Sequence, residues 1–280
     1  MRRRILNHAS ALLAAAVSLV PVQARAQASN AMLIAANSFA APEVPFDVVK
    51  SGYPATIPAL TPGPAELPRM SPEMALAAFE RRLQLQLAGV PSYSASTVIS
   101  VDLPDTRQHG VFELQKGFSA PHTLRFTPVR YSGDGFVKSS VITRLLQQEV
   151  TQTQNGDAVK TALSAQNYKF QFKGEDTLSS RSVYVYQVKP RAKVAGLFKG
   201  HIYLDARSGV ICRAEGELVK SPSFFIRKIR FTSDFAEVNG YSLSVHIQSE
   251  AETRIIGRAQ VDITNSDYSF AESGTTIASR

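Results

Sequence analysis

From Gln166 onward the chain alternates apolar and polar residues with few breaks, and this period of two limits the possible folds more than any other feature. Successive side chains leave a strand on opposite faces, so alternation gives each segment one apolar and one wet face. That is the pattern of an antiparallel sheet covered on one side only. Tyr168, Phe170 and Phe172 against Asn167, Lys169, Gln171 and Lys173 form the clearest case; Leu243, Val245 and Ile247 against Ser244, His246 and Gln248 form another. The period predicts strands at Gln166–Lys173, Ser182–Lys189, Leu197–Asp205, Val210–Val219, Phe225–Phe235, Tyr241–Glu250 and Arg254 to about Tyr268. Three more are expected earlier, at Tyr93–Leu103, Gln108–Phe118 and His122–Tyr131. Compact turns at Ala206–Gly209 and Asn239-Gly240 suit antiparallel neighbours.

Helical spacing appears in two places. Ser71 is placed to cap a helix with Pro72 at its first position, Leu76, Phe79, Leu83 and Leu87 give it an apolar stripe, and Gly89 and Pro91 stop it. A second helix is expected over Ser140–Val150, with Ile142, Leu145 and Leu146 inward. Ahead of both lie two segments outside the sheet. Residues 1–28 read as an export signal: Arg2, Arg3 and Arg4, an apolar run from Ala11 to Val20, then Ala24-Arg25-Ala26 or Ala26-Gln27-Ala28 for cleavage. The apolar run is about half of the roughly 20 residues that a membrane-spanning helix requires. Residues 29–70 hold seven prolines and read as an extended segment, which leaves 71–280 for one β domain.

Removing the leader takes four of the 31 basic residues and no acidic ones, so the formal charge falls from +8 to +4. No remaining basic block argues for nucleic acid. The one cysteine, Cys212, has no partner for an internal disulfide, and its alternation with Val210, Ala214 and Leu218 makes it a buried structural thiol. No G-x-S-x-G turn is present, and His109, His122, His201 and His246 fall on separate strands without metal-ligand spacing. No catalytic residue, metal or cofactor is therefore expected.

Ten strands at about 4.8 Å make a sheet some 48 Å wide, whereas two helices of about 10 Å shield about 20 Å of it. Such a sheet must curl, and the inside of the curl is either a hollow suited to a hydrophobic guest or a core filled by its own aromatics; the sequence leaves both open. The residues expected to line a hollow are Phe170, Phe172, Tyr184, Phe225, Ile229 and Phe231, with Arg227 on the same face to grip a headgroup. A bulge would instead turn Arg227 outward with Lys228 and Arg230. Lys189, Arg191, Lys193 and Lys199 surround one hairpin turn and suit anionic lipid, an acidic partner or plain solvent.

A resemblance runs from Val183 to Tyr268. Val183-Tyr184-Val185 leading to Val188-Lys189-Pro190, then Phe198-Lys199-Gly200-His201-Ile202-Tyr203-Leu204-Asp205, Val210-Ile211-Cys212-Arg213-Ala214-Glu215-Gly216 and Lys220-Ser221-Pro222-Ser223-Phe224-Phe225-Ile226 together resemble exported bacterial proteins related to outer-membrane lipoprotein sorting, the LolA/LolB/RseB superfamily. The resemblance implies an unclosed antiparallel half-barrel with helices on its concave face, located in the periplasm. With the apolar surplus of the sheet it points to a non-enzymatic carrier of a lipid, acyl chain or lipoprotein, and a monomer with peripheral membrane contact is the expected form. The other class left open is an envelope adaptor or sensor with a packed interior that binds a protein.

Overall fold

The computed structural model describes residues 68–156, 158–221, 224 and 226–271. The expected leader, nearly all of the proline-rich segment and Phe225 lie outside these. Helix α1 (Pro72–Ala88) comes first. Strands β1 (Tyr93–Leu103), β2 (Gln108–Ser119) and β3 (Thr123–Gly133) follow. Helical turns at Gly135–Val137 and Lys138–Ile142, the latter a π-turn, lead into α2 (Thr143–Asn155), and a short helix, α3 (Ala158–Thr161), succeeds it. The remaining strands are β4 (Tyr168–Leu178), β5 (Arg181–Pro190), β6 (Phe198–Asp205), β7 (Ile211–Leu218), β8 (Ile226–Val238), β9 (Tyr241–Thr253) and β10 (Arg258–Phe270).

All ten strands join one sheet in the order β3-β2-β1-β10-β9-β8-β7-β6-β5-β4. Every neighbouring pair is antiparallel. The first and last strands of the domain pair with each other, while β3 and β4 stand at opposite edges, so the sheet does not close. Register builds continuous rows across it. One buried row runs Val101, Val261, Ser249, Phe231, Gly216, Gly200, Val188, Phe170, each residue opposite the next.

Both longer helices lie on this apolar face. From α1, Ala75, Phe79, Leu83 and Gln86 are buried, with Leu76 and Leu87 partly so. The contact stripe is thus turned from the expected one by a residue. The reason is Gln86, whose buried amide donates to the Ser242 carbonyl at 3.0 Å and accepts from the Ser242 N–H at 3.2 Å, satisfying a partly buried strand backbone as a leucine there would not. The α2 region is longer than expected, and Val137, Val141, Ile142 and Leu145 cover β1 to β3. A second apolar cluster at the far end of the sheet gathers Val90, Tyr93, Phe118 and Leu124.

Gly200 and Gly216 face each other across β6 and β7. A side chain on Gly200 would strike the Glu215 carbonyl at 1.9 Å, and one on Gly216 would strike the Phe198 ring at 2.8 Å. The bare strand pair is roofed instead by Phe198 and Phe231, whose rings meet edge to face at 5.0 Å.

Candidate functional site

The residues expected to line a hollow serve mainly as core. Tyr184, Ile229 and Phe231 are buried. Tyr184 donates its hydroxyl to the Met70 carbonyl at 2.5 Å, and neighbouring Tyr186 donates to Pro72, so both rings fasten the start of α1 to β5. Phe170 is partly buried against Phe79 and Tyr168, with ring centroids at 6.5 and 6.4 Å. Phe172 is 43% exposed on edge strand β4 and packs sideways on Tyr184 and Tyr186. Arg227 is exposed: its inward placement gives way to the outward one that a bulge allowed. Ile226 stands opposite Thr253 and Lys228 opposite Glu252, so Arg227 is the extra residue of a bulge and turns away from the buried face.

A concavity of about 850 Å³ lies on the other face of the sheet, across β1, β10, β9, β8, β7 and β6. Register explains its polar lining. Asp102, Gln260, Glu250, Arg230, Glu217 and Lys199 stand opposite one another in one row, and Ser100, Asp262, Gln248, Thr232, Glu215 and His201 in the next. Five carboxylates thus meet two permanent cations in the lining. The charge is unevenly spread. On the β7 side Glu217 is paired with Lys228 at 2.9 Å and Lys199 at 3.7 Å; burial would raise its pKa, but these lysines hold it below the ordinary value. Glu215 accepts from the Tyr203 hydroxyl at 2.8 Å, and burial together with that bond pushes Tyr203 up to about 12. On the β1 side Asp262 is held by His246 at 2.9 Å and by Gln248 at 3.2 Å. Asp102 and Glu250 form no ion pair among the described residues. The carboxylates outside any ion pair thus lie toward β1 and β9, with Arg230 the cross-strand neighbour of Glu250.

These groove residues were legible as the polar members of each alternation, but which of them share a row is set by register, which the sequence does not state. A buried charge was missed in the same way. Lys116 lies on the face of β2 that carries Phe112, Leu114 and Phe118, and it meets Glu149 of α2. Burial alone would lower the Lys116 pKa, but Glu149, with the Tyr93 and Tyr268 hydroxyls, lifts it above that of an ordinary lysine. Cys212 is buried, and desolvation raises its thiol pKa, as befits a packed and unreactive sulfur. Among the described residues no three His, Cys, Asp or Glu side chains are grouped to hold a metal ion.

An unclosed ten-stranded antiparallel sheet, with helices on one face and a polar groove on the other, is a helix-covered half-barrel, the architecture that the resemblance implied. The solved structures similar to this chain include a DUF1329 family protein from Desulfovibrio piger, at 12% identity and TM-score 0.40, covering 72% of this chain and 94% of that one. A putative outer membrane lipoprotein-sorting protein domain from Vibrio parahaemolyticus shares 12% identity at TM-score 0.40, covering 73% and 95%. A LolA superfamily protein from Nitrosomonas europaea shares 12% at TM-score 0.33, covering 74% and 97%. No protein family and no curated protein matches the sequence.

Proposed function

We propose that this protein is an exported, non-enzymatic binding protein of the cell envelope, and that its open groove receives a basic segment of a protein partner. The observation that carries this reading is the groove itself: about 850 Å³, with five carboxylates against two permanent cations in its lining and with Asp102 and Glu250 in no ion pair among the described residues. Support also comes from the opposite face, where Tyr184, Ile229 and Phe231 are committed to the core, so a lipid guest there would have to displace α1. A charged groove on a preformed sheet gives orientation and fast encounter rather than great affinity.

The test is photo-crosslinking in intact envelopes from a probe at Gln248 or Gln260, compared with a probe at Thr177 on β4, joined to native mass spectrometry of the purified protein. Crosslinks to one protein from the groove positions only, weakened at least tenfold by Asp102→Lys with Glu250→Lys, are expected. A stoichiometric lipid retained in the native spectrum, with no groove crosslink, overturns the reading in favour of a lipid carrier.

A further inference from the structure

The two ends of the sheet differ in chemistry. At one end the connections are short and polar: Ser179-Ser180, residues 206–210 and Asn239-Gly240. At the other, the β5–β6, β7–β8 and β9–β10 loops stand side by side. The Val219 N–H donates to the Leu197 carbonyl at 3.0 Å, tying the first loop to the second, and the Arg254 guanidinium lies 4.7 Å from the Phe224 ring, tying the second to the third.

These adjoining loops present apolar side chains to water. Phe224 is 76% exposed, Ile255 50% and Val194 43%. Around them Arg191, Lys193, Lys220, Arg227 and Arg254 are exposed, and the stretches 190–197, 219–227 and 254–257 contain no aspartate or glutamate. Arg227 joins this group because the β8 bulge turns it outward.

We infer that this loop end docks the molecule on an anionic phospholipid bilayer. Apolar tips ringed by cations match such a surface on both counts: the Phe224 ring and the two branched chains enter the acyl boundary, while the cations remain among the headgroup phosphates. The three stretches add no carboxylate of their own, and of those that flank them Asp105 is paired with Arg258 at 3.7 Å and Glu217 with Lys228 at 2.9 Å, which limits the repulsion that a negatively charged surface would exert. The interaction is peripheral and reversible, and it leaves the groove on the open face accessible.

Flotation of the full chain with vesicles tests this, using phosphatidylcholine alone and phosphatidylcholine mixed with phosphatidylglycerol. Association is expected with the mixed vesicles only. Phe224→Ser with Ile255→Ser should weaken it about tenfold or more, and Arg227→Gln and Arg254→Gln about fivefold each. Arg125→Gln, which removes an exposed cation from far-edge strand β3, should leave it unchanged. All variants keep the same N-terminus, and unchanged thermal unfolding shows that they remain folded. Equal binding to neutral vesicles, or undiminished binding by the Phe224 and Ile255 variant, overturns the inference. Loss of an acidic envelope protein from crosslinks of the loop variants, without vesicle binding by the parent, overturns it too and reassigns the loop end to a protein.

Discussion

Lys116 carries its charge on the buried side of β2, and the fold tolerates it because Glu149 reaches it from α2. Their side chains are only 13% and 12% exposed, so this pair is unlike the solvated surface bridges whose net worth is near zero. Removing one partner strands the other charge in an apolar setting. Lys116→Ala should therefore lower unfolding stability by about 3 kcal/mol, whereas Lys116→Met combined with Glu149→Leu should come within about 1 kcal/mol of the parent, because an apolar pair needs no desolvation. Urea unfolding of the two variants gives the comparison, and equal losses in both would refute the account. Arg227 is the contrast: one inserted residue places it in water, and Arg227→Leu should change stability by no more than about 0.5 kcal/mol.

At the scale of elements, α1 is fixed by named bonds as well as by its apolar side. Ser71 accepts from the Met74 N–H at 3.3 Å, Tyr184 and Tyr186 bond to the Met70 and Pro72 carbonyls, and Gln86 grips Ser242. Burial, reinforced by the charge of Glu73, pushes Tyr186 up to about 12 from an ordinary 10.0. Its folded pKa thus exceeds its unfolded one, so folding retains a proton that the unfolded chain gives up. The associated stability is intact below pH 10 and is lost as pH rises toward 12. Tyr186→Phe should cost about 1 kcal/mol at neutral pH through the lost hydrogen bond and should lessen the fall of stability across that alkaline window, where Tyr203 still titrates, as measured by denaturation at stepped pH. In β6 and β7, Gly200→Ala should cost about 2 kcal/mol or more, because its new carbon has only the adjacent strand's backbone to displace. A Gly200→Ala protein with unchanged melting would refute the close approach. These elements differ in how far the sequence foretold them. The strands were legible because burial on one face imposes alternation, and β1 and its turn to β2 fall where the pattern put them. The true stripe of α1 was hidden because Gln86 is polar by type and buried only through a bond to a strand distant in sequence. The groove was hidden because a row needs register, and a bulge such as the one between Tyr203 and Leu204 shifts register without a local signal, whereas the one at Arg227 was marked only by a cation in an apolar alternation.

For the whole molecule, the order of strands leaves β3 and β4 with unpaired edges, and an open edge invites a second copy to pair. Both edges carry features that discourage this. Strand β3 holds Pro128, which has no N–H to offer, beside a bulge between Glu113 and Leu114 in its partner register, and it displays Arg125 and Arg130. Strand β4 is interrupted between Phe172 and Gly174 and displays Lys169 and Lys173. Charges brought edge to edge repel, and a kinked strand cannot offer a long run of hydrogen bonds. The protein is therefore expected to sediment as a monomer. Pro128→Val together with Arg125→Thr and Arg130→Thr would give β3 a complete set of backbone donors, remove its charges and extend the apolar surface that Val129 already exposes. That variant should associate reversibly with rising concentration in analytical ultracentrifugation, and its soluble fraction should fall. The same three changes should leave the groove crosslinks intact, since β3 lies two strands from Asp102 and Ser100 only through β2 and contributes nothing to the groove lining. A variant that stays monomeric at every concentration would show that the geometry of the curled sheet, rather than these side chains, keeps the edge from pairing.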